Sequence, residues 1–156
     1  MPPVKPIPDG YDTLTPYLIV GDAAGAIAFY AKAFGATERM RLDAPGGRIG
    51  HAELTIGNSV IMLADEHPEM GALSPASIGG TPIGLHLYVA DVDAVTERAV
   101  AAGGKVLQAP ETKFYGDRNS TLEDPFGHRW FISTHVEDVA PDEIARRAAA
   151  AQGQQQ

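Results

Sequence analysis

Leu85, Leu87 and Val89 alternate with Gly84, His86 and Tyr88 at the head of the stretch GLHLYVADVDAVTERAVAAGG. A period of two predicts a strand with one face on a core. Asp91 and Asp93 follow, acidic residues suited to a helix N-terminus. Val92, Val95 and Ala99 then recur at helical spacing, and Gly103-Gly104 supplies a stop. The same pattern stands 69 positions earlier, in TPYLIVGDAAGAIAFYAKAFG, where Leu18, Val20, Asp22, Ala33 and Gly35 fall on Leu87, Val89, Asp91, Ala102 and Gly104. At an offset of 70, Gly46, Arg48, Glu53 and Gly57 meet Gly116, Arg118, Glu123 and Gly127. The chain reads as an internal repeat of about 70 residues.

In chain order, residues 1–12 carry four prolines and form an extended arm, suited either to packing on a neighbouring subunit or to a disordered tail. The first repeat then predicts a strand over Leu14–Val20, with Leu14, Leu18 and Val20 under the helix and Thr15, Tyr17 and Ile19 on the opposite face. A helix follows over Ala23–Phe34, with Ile27, Tyr30, Ala31 and Phe34 inward. Strands are expected over Thr37–Leu42, Ile49–Ile56 and Ser59–Leu63, the last two joined by a hairpin at Gly57-Asn58. Ser59–Leu63 is a continuous apolar run that fits burial on both faces.

Residues 64–82 form the one long irregular stretch, a linker in which His67-Pro68-Glu69-Met70 is a candidate lid. The second repeat predicts strands over Ile83–Val89, Lys105–Gln108, Phe114–Leu122 and His128–Thr134, with a helix over Val92–Ala102. Asp124-Pro125-Phe126-Gly127 fits a type I turn. Trp130 alternates with Phe131 and is expected in the core. Pro141 opens a last helix to about Ala150, and GQQQ is a frayed tail. The organisation is an arm (1–12), a single domain (13–138) built of module 1 (about 13–64), a linker (65–82) and module 2 (about 83–135), and a terminal helix with a disordered tail (139–156).

Composition narrows the function. The net charge of −8, with no Lys/Arg run, argues against nucleic acid or an anionic membrane as partner. With no cysteine there is neither disulfide nor thiol nucleophile, and any metal site must draw on His and carboxylates. Residues 1–10 have no apolar run of a signal peptide and no stretch approaches a membrane span, so a cytoplasmic protein is expected.

Two β-α-β-β-β modules, V-x-D before each helix, FY inside the first helix and E-D-P-F-G-H before the last strand resemble the vicinal oxygen chelate superfamily. That superfamily covers glyoxalase, bleomycin-resistance proteins, extradiol dioxygenases, fosfomycin-resistance enzymes and methylmalonyl-CoA epimerase. The likeness spans roughly Leu14–Thr134 and looks closest to the glyoxalase/bleomycin-resistance-like, PhnB-like branch. It implies an α+β fold in which the tandem βαβββ modules form a curved mixed-sheet cup with helices outside. It also implies one metal ligand on the first and last strand of each module. Carried over by the V-x-D and D-P-x-G landmarks and the repeat offset, these positions are Thr15, Ile61, Gly84 and Phe131, none of them a His, Glu or Gln. No cofactor is therefore expected, and catalysis stays an open question.

The predicted concave face carries Thr15, Tyr17, Ile19, His51, Glu53, Thr55, Ser59, Ile61, Gly84, His86, Tyr88, Arg129 and Phe131. From these and the loop Phe114–Arg118, the candidate ligand-binding residues are Tyr17, His51, Glu53, His86, Tyr88, Tyr115, Arg118 and Phe131. Aromatics beside Gly116 and Arg118 suit stacking on a planar ligand and holding an anion; the alternative is a bulged strand with Arg118 bridging to a surface acid. The expected function is metal-free binding of a small drug or natural product by a homodimer. The alternative is a metal-dependent lyase, isomerase or dioxygenase using shifted ligands His51, Glu53 and His86; a third reading is an interaction module with a vestigial pocket.

Overall fold

The structure, a computed structural model, describes residues 3–154. The chain divides into two compact units, Met1–Thr81 and Pro82–Gln156. The fold is α+β, with a four-stranded mixed sheet and its own helix in each unit.

In the first unit, β1 (Tyr17–Val20) is followed by α1 (Ala23–Phe34), β2 (Thr37–Ala44), β3 (Arg48–Ile56) and β4 (Ser59–Asp65). The sheet order is β1-β4-β3-β2, with β1 and β4 parallel and the other pairs antiparallel. Helix α1 lies on one face of this sheet. Its start is fixed by Asp22, whose side chain accepts from Gly25 N, and its end by Gly35 at φ +69°, a left-handed position that suits glycine. Leu18, Val20, Ala52, Leu54, Ile56, Ile61 and Leu63 are buried on that face, under Ala23, Ala26, Ile27, Tyr30 and Ala33. Three expected core positions move. Leu14 is exposed, because the ladder begins beyond Pro16, whose carbonyl accepts from Met62 N. Ala31 is also exposed and Phe34 only half-buried, because the buried stripe runs through Ala26, Phe29 and Ala33, with Phe29, Tyr30 and Phe34 in mutual ring contact on its flank.

The second unit repeats the order: β5 (Gly84–Tyr88), α3 (Val92–Ala101), β6 (Lys105–Thr112), β7 (Asp117–Glu123) and β8 (Arg129–His135), arranged β5-β8-β7-β6. Asp91 caps α3 by accepting from Ala94 N, as Asp22 does for α1. Leu122, Trp130 and Ile132 are buried against Val92, Val95 and Ala99. The D-P-F-G turn forms as expected, with Gly127 N donating to Asp124 O. The buried Asp124 carboxylate also accepts from Phe126 N, His128 N and the Trp130 indole N–H.

The strand ladders correct the repeat's second block. Tyr17 lies opposite Met62 and His86 opposite Phe131, which keeps an offset of 69; across the sheet, Met62 pairs with Glu53 and Phe131 with Thr121. Glu53 therefore corresponds to Thr121 rather than Glu123, and the second hairpin holds one residue more than the first. That slip reverses the face of Ile61. It pairs with Leu54 and is buried on the helix side, while Met62 faces with Tyr17 and Glu53. Val60 and Met62 are half-buried, so β4 is sealed fully on its helix face only.

Residues 64–82 are more ordered than their composition predicts. After β4 comes a 3-10 turn, Pro68–Met70, and then α2 (Pro75–Ile78), capped by Ser74. The terminal helix α4 (Pro141–Gln154) continues past Ala150 through Ala151, an extension that the high helix propensity of the alanine run favours. Of the expected frayed tail, Gly153 and Gln154 belong to this helix, and residues 155–156 lie outside the described residues. Arg147 ties α4 to the rest of its unit through Glu137 at 3.0 Å and the Phe114 carbonyl at 2.9 Å, and pairs within the helix with Glu143 at 3.1 Å.

Candidate functional site

On the sheet face away from α1, Tyr17, His51 and Glu53 come together because they hold matching positions on β1 and β3, with Met62 of β4 between them. The Tyr17 hydroxyl lies 2.9 Å from His51 Nδ1, and His51 Nε2 lies 2.8 Å from Glu53 Oε2. Tyr11, from the N-terminal arm, donates its hydroxyl to Glu53 Oε1. Arg39 of β2 holds the arm in place, with its guanidinium 4.5 Å from the centre of the Tyr11 ring and Nη1 donating to Gly10 O. The arm thus folds back on its own sheet, and Tyr11 joins the cluster. The sequence offered no signal for it beyond being the arm's one aromatic residue.

Glu53 is buried, and burial by itself pushes its carboxyl up. The hydrogen bonds from Tyr11 and His51 outweigh that and hold it below the usual glutamate range. The same carboxylate raises Tyr11, chiefly through the hydrogen bond, and Tyr17 is raised chiefly by burial. The set is an ionised glutamate flanked by two protonated tyrosines, with an imidazole linking it to one of them.

Tyr17 also lines a pocket of about 340 Å³, together with Ile19, Arg48, Ile49, His67 and Met70. The outer wall is the segment after β4, closed on itself by the His67–Ala72 bridge. Glu66 anchors that segment. Hydrogen bonds from Ser77 and Ser74 lower its carboxyl to about 2, and its carbonyl accepts from Arg48 at 2.8 Å. The expected lid residues thus form one side of a pocket in the first unit.

In the second unit, Gly84, His86 and Tyr88 face away from α3 as the alternation predicts. The rings of His86 and Tyr88 stack at 4.8 Å, and Phe131 lies 6.4 Å from His86. Tyr88 is 62% exposed and Phe131 37%, so this aromatic row is open at its surface. At its end the Tyr88 hydroxyl donates to Asp117 Oδ2 at 2.8 Å, and His135 bridges Asp117 and Asp138 at 2.8 and 2.7 Å. Both carboxylates raise His135, and the hydrogen bond to Asp117 raises Tyr88. Burial pushes Asp117 up, but its bonds from His135 and Tyr88 prevail and hold it low.

These groups line a cleft of about 460 Å³ with Tyr115 and Ile144. Between Tyr88 and Asn119 in the ladder, the fully buried Ser133 hydroxyl has no hydrogen-bond partner among the described residues. The two clefts occupy matching places in the repeat: Ile19 corresponds to Tyr88, Ile49 to Asp117 and Glu66 to His135. Asp117 lay inside the candidate loop Phe114–Arg118 without being singled out, and His135 falls one residue past the strand expected over His128–Thr134.

Of the remaining candidates, Tyr115 accepts from Asn119 Nδ2 at 2.5 Å and borders the second cleft. Arg118 instead makes a two-pronged pair with Asp93 at the start of α3, at 2.8 and 2.9 Å, so it stands on the helix side and away from the aromatic row. The metal positions implied by resemblance do not fit an ion. Thr15 precedes β1, Ile61 faces the helix, and Met62 holds the place on β4 that Ile61 was expected to fill. At Gly84 a Cβ would lie 2.1 Å from the Phe131 ring, so Phe131 occupies the space that a ligand side chain would need. Among the described residues, no three His, Cys, Asp or Glu groups gather in metal-holding geometry. Nor is any helix among them long and apolar enough to cross a membrane.

Residues 10–132 match the family described as the Glyoxalase/Bleomycin resistance protein/Dioxygenase superfamily. An uncharacterized protein of Mycobacterium bovis is 46% identical over 143 residues, covering 90% of this chain and 93% of that protein. Among solved structures, TioX from Micromonospora sp. ML1 aligns with a TM-score of 0.64 at 28% identity, over 80% of this chain and 99% of TioX. Protein PA1353 from Pseudomonas aeruginosa aligns with a TM-score of 0.63 at 26% identity, over 80% of this chain and 98% of its own.

Proposed function

The chain belongs to the glyoxalase/bleomycin resistance protein/dioxygenase superfamily, and we propose that within it this protein binds a flat, aromatic small molecule without the help of a metal ion. The observation that carries this reading is the relation of Phe131 to Gly84. Two positions that resemblance gives to metal ligands hold a ring and the glycine that makes room for it. That ring continues the row of His86 and Tyr88, an open aromatic surface suited to stacking. The chain's net charge of −8 favours a cationic ligand. The metal-dependent alternative would draw on His51, Glu53 and His86. His51 and Glu53, however, use their ligating atoms on each other and on Tyr17 and Tyr11.

The exposed aromatic row also suits a homodimer in which a second copy covers part of it. Light scattering at micromolar concentration tests that part separately. The ligand reading is tested by calorimetric titration with a panel of planar aromatic cations and anions against the wild type, His86→Ala and Phe131→Ala. Each variant is expected to weaken binding about tenfold or more, as loss of one stacking partner of about 0.5–1.5 kcal/mol together with its buried area predicts. Affinity unchanged in both variants would remove the aromatic row from the site.

A further inference from the structure

His135, at the end of β8, meets a carboxylate with each of its ring nitrogens. Nδ1 lies 2.8 Å from Asp117 Oδ1, and Nε2 lies 2.7 Å from Asp138 Oδ1. A neutral imidazole carries one N–H and donates to one of them; both contacts are hydrogen bonds to ionised carboxylates only when the ring holds two protons. The two acceptors are unequal. Asp117 is buried on β7 and also accepts from the Tyr88 hydroxyl, whereas Asp138 is exposed. Stranding the buried carboxylate costs more, so a ring with one proton keeps Asp117 and gives up Asp138. Asp138 opens a short stretch held at both ends. Before it, Val136 N and Glu137 N donate to Gly116 O. After it, Arg147 of α4 pairs with Glu137 and donates to the Phe114 carbonyl. Between these anchors Asp138, Val139, Ala140 and Ile144 line the 460 Å³ cleft, together with Tyr88, Tyr115, Asp117 and His135. The other titratable and charged groups nearby are committed elsewhere: Tyr88 to Asp117, Tyr115 to Asn119, Glu137 and Glu143 to Arg147, while His86 stacks on Tyr88.

We propose that His135 is a proton-operated latch on the cleft of the second unit. With the ring charged it pins Asp138 and the start of α4 to the sheet, and the cleft is narrow. With the ring neutral Asp138 is released, and the wall from Asp138 to Ile144 moves outward between its two anchors. Both carboxylates raise His135 above its ordinary 6.5. The latch is therefore fully closed below about pH 6.5 and is lost as the pH rises through the raised value. The cleft adjoins Tyr88, one end of the aromatic row, so the inference rests on the ligand reading for what the latch admits. The latch itself belongs to the ligand-free fold, and its failure would leave the aromatic row untouched.

The test reads the latch in the whole protein without any ligand. Nuclear magnetic resonance titration of the histidine rings, with His135→Gln to assign the signal, should place His135 above its ordinary value. Amide hydrogen exchange then follows the start of α4. Corrected for the intrinsic rate, exchange at Ile144 and Ala145 should rise about threefold or more from pH 6 to pH 9, the effect of losing one exposed ion pair. Ile132, in the middle of β8, should show no such rise. Asp138→Ala removes only an exposed side chain and should exchange at the faster level at both pH values, with the fold intact by circular dichroism. His135 titrating at or below its ordinary value would overturn the latch. So would exchange at Ile144 and Ala145 that ignores pH in the wild type, or that keeps its full pH dependence in Asp138→Ala.

Discussion

Asp65 at the end of β4 and Thr134 at the end of β8 hold the same place in the two repeats and perform the same task. Asp65 Oδ1 accepts from Ala23 N at 2.7 Å, and Thr134 Oγ1 accepts from Val92 N at 2.9 Å, each the first residue of its unit's helix. With Asp22 and Asp91 as caps, two orphan N–H groups at each helix start are satisfied by side chains. Asp65 goes further, accepting from Ile49 N through Oδ2 at 2.7 Å. Asp65→Ala should therefore cost about 1–3 kcal/mol, and Thr134→Val about 1 kcal/mol. Urea denaturation of both variants checks the ranking; an Asp65→Ala protein as stable as the wild type would contradict it.

Glu66 predicts an acid limit for the segment that walls the first pocket. Its carboxyl lies at about 2 in the fold, against an ordinary value of 4.5. A lowered folded value means that its stabilising effect is complete above about pH 4.5 and is lost as the pH falls through about 2. Hydrogen exchange should find the Ser74 and Ser77 amides still protected near pH 3 and unprotected near 2. In Glu66→Gln, protection at neutral pH should be lower and should no longer follow the acid titration. Loss of protection already at pH 4 to 5 in the wild type would mean that Glu66 does not hold this segment.

Neighbours on β8 should separate stability from binding. Ile132 is fully buried against α3, and Ile132→Ala should lose about 2–5 kcal/mol. Phe131→Ala, one residue away on the open face, should change stability by about 1 kcal/mol or less while weakening an aromatic ligand. Thermal melts paired with titration give both readings. Equal destabilisation by the two variants would overturn the assignment of faces.

Two glycines should respond oppositely to a single methyl group. At Gly84 the added Cβ meets the tip of the Phe131 ring, which is partly exposed and free to swing aside. Gly84→Ala should fold, with the ring displaced and aromatic binding weakened. At Gly116, φ is +100° and the Cβ would lie 2.2 Å from the backbone oxygen of Glu137. Backbone cannot yield as a ring does, and Gly116→Ala should lose more than about 1 kcal/mol. Near-ultraviolet circular dichroism for the first and denaturant melts for the second distinguish the two responses.

The alternation of Leu85, Leu87 and Val89 with His86 and Tyr88, the two aspartate caps and the D-P-F-G turn made the order of elements legible in the sequence. Each is a local signal, written within one turn or one strand. What was not legible depends on pairing between strands. Carrying the offset of 70 into the last strand, where the ladders keep 69, placed Ile61 on the wrong face, because matched residue types carry no information about register. Tyr11 escaped notice because its role is set by a partner 42 positions away. For Arg118 the sequence left open a ligand contact or a bridge to a surface acid, and its two-pronged pair with Asp93 on the neighbouring helix is the second.

The matching clefts carry opposite chemistry: Ile19 and Ile49 in one unit, Tyr88 and Asp117 in the other. A duplicated scaffold lets selection edit one copy while the other keeps its inherited preference. The two clefts of such a chain can diverge one at a time. An engineer can recolour one cleft by exchanging a pair of side chains that the sister unit has already tried in the same backbone setting.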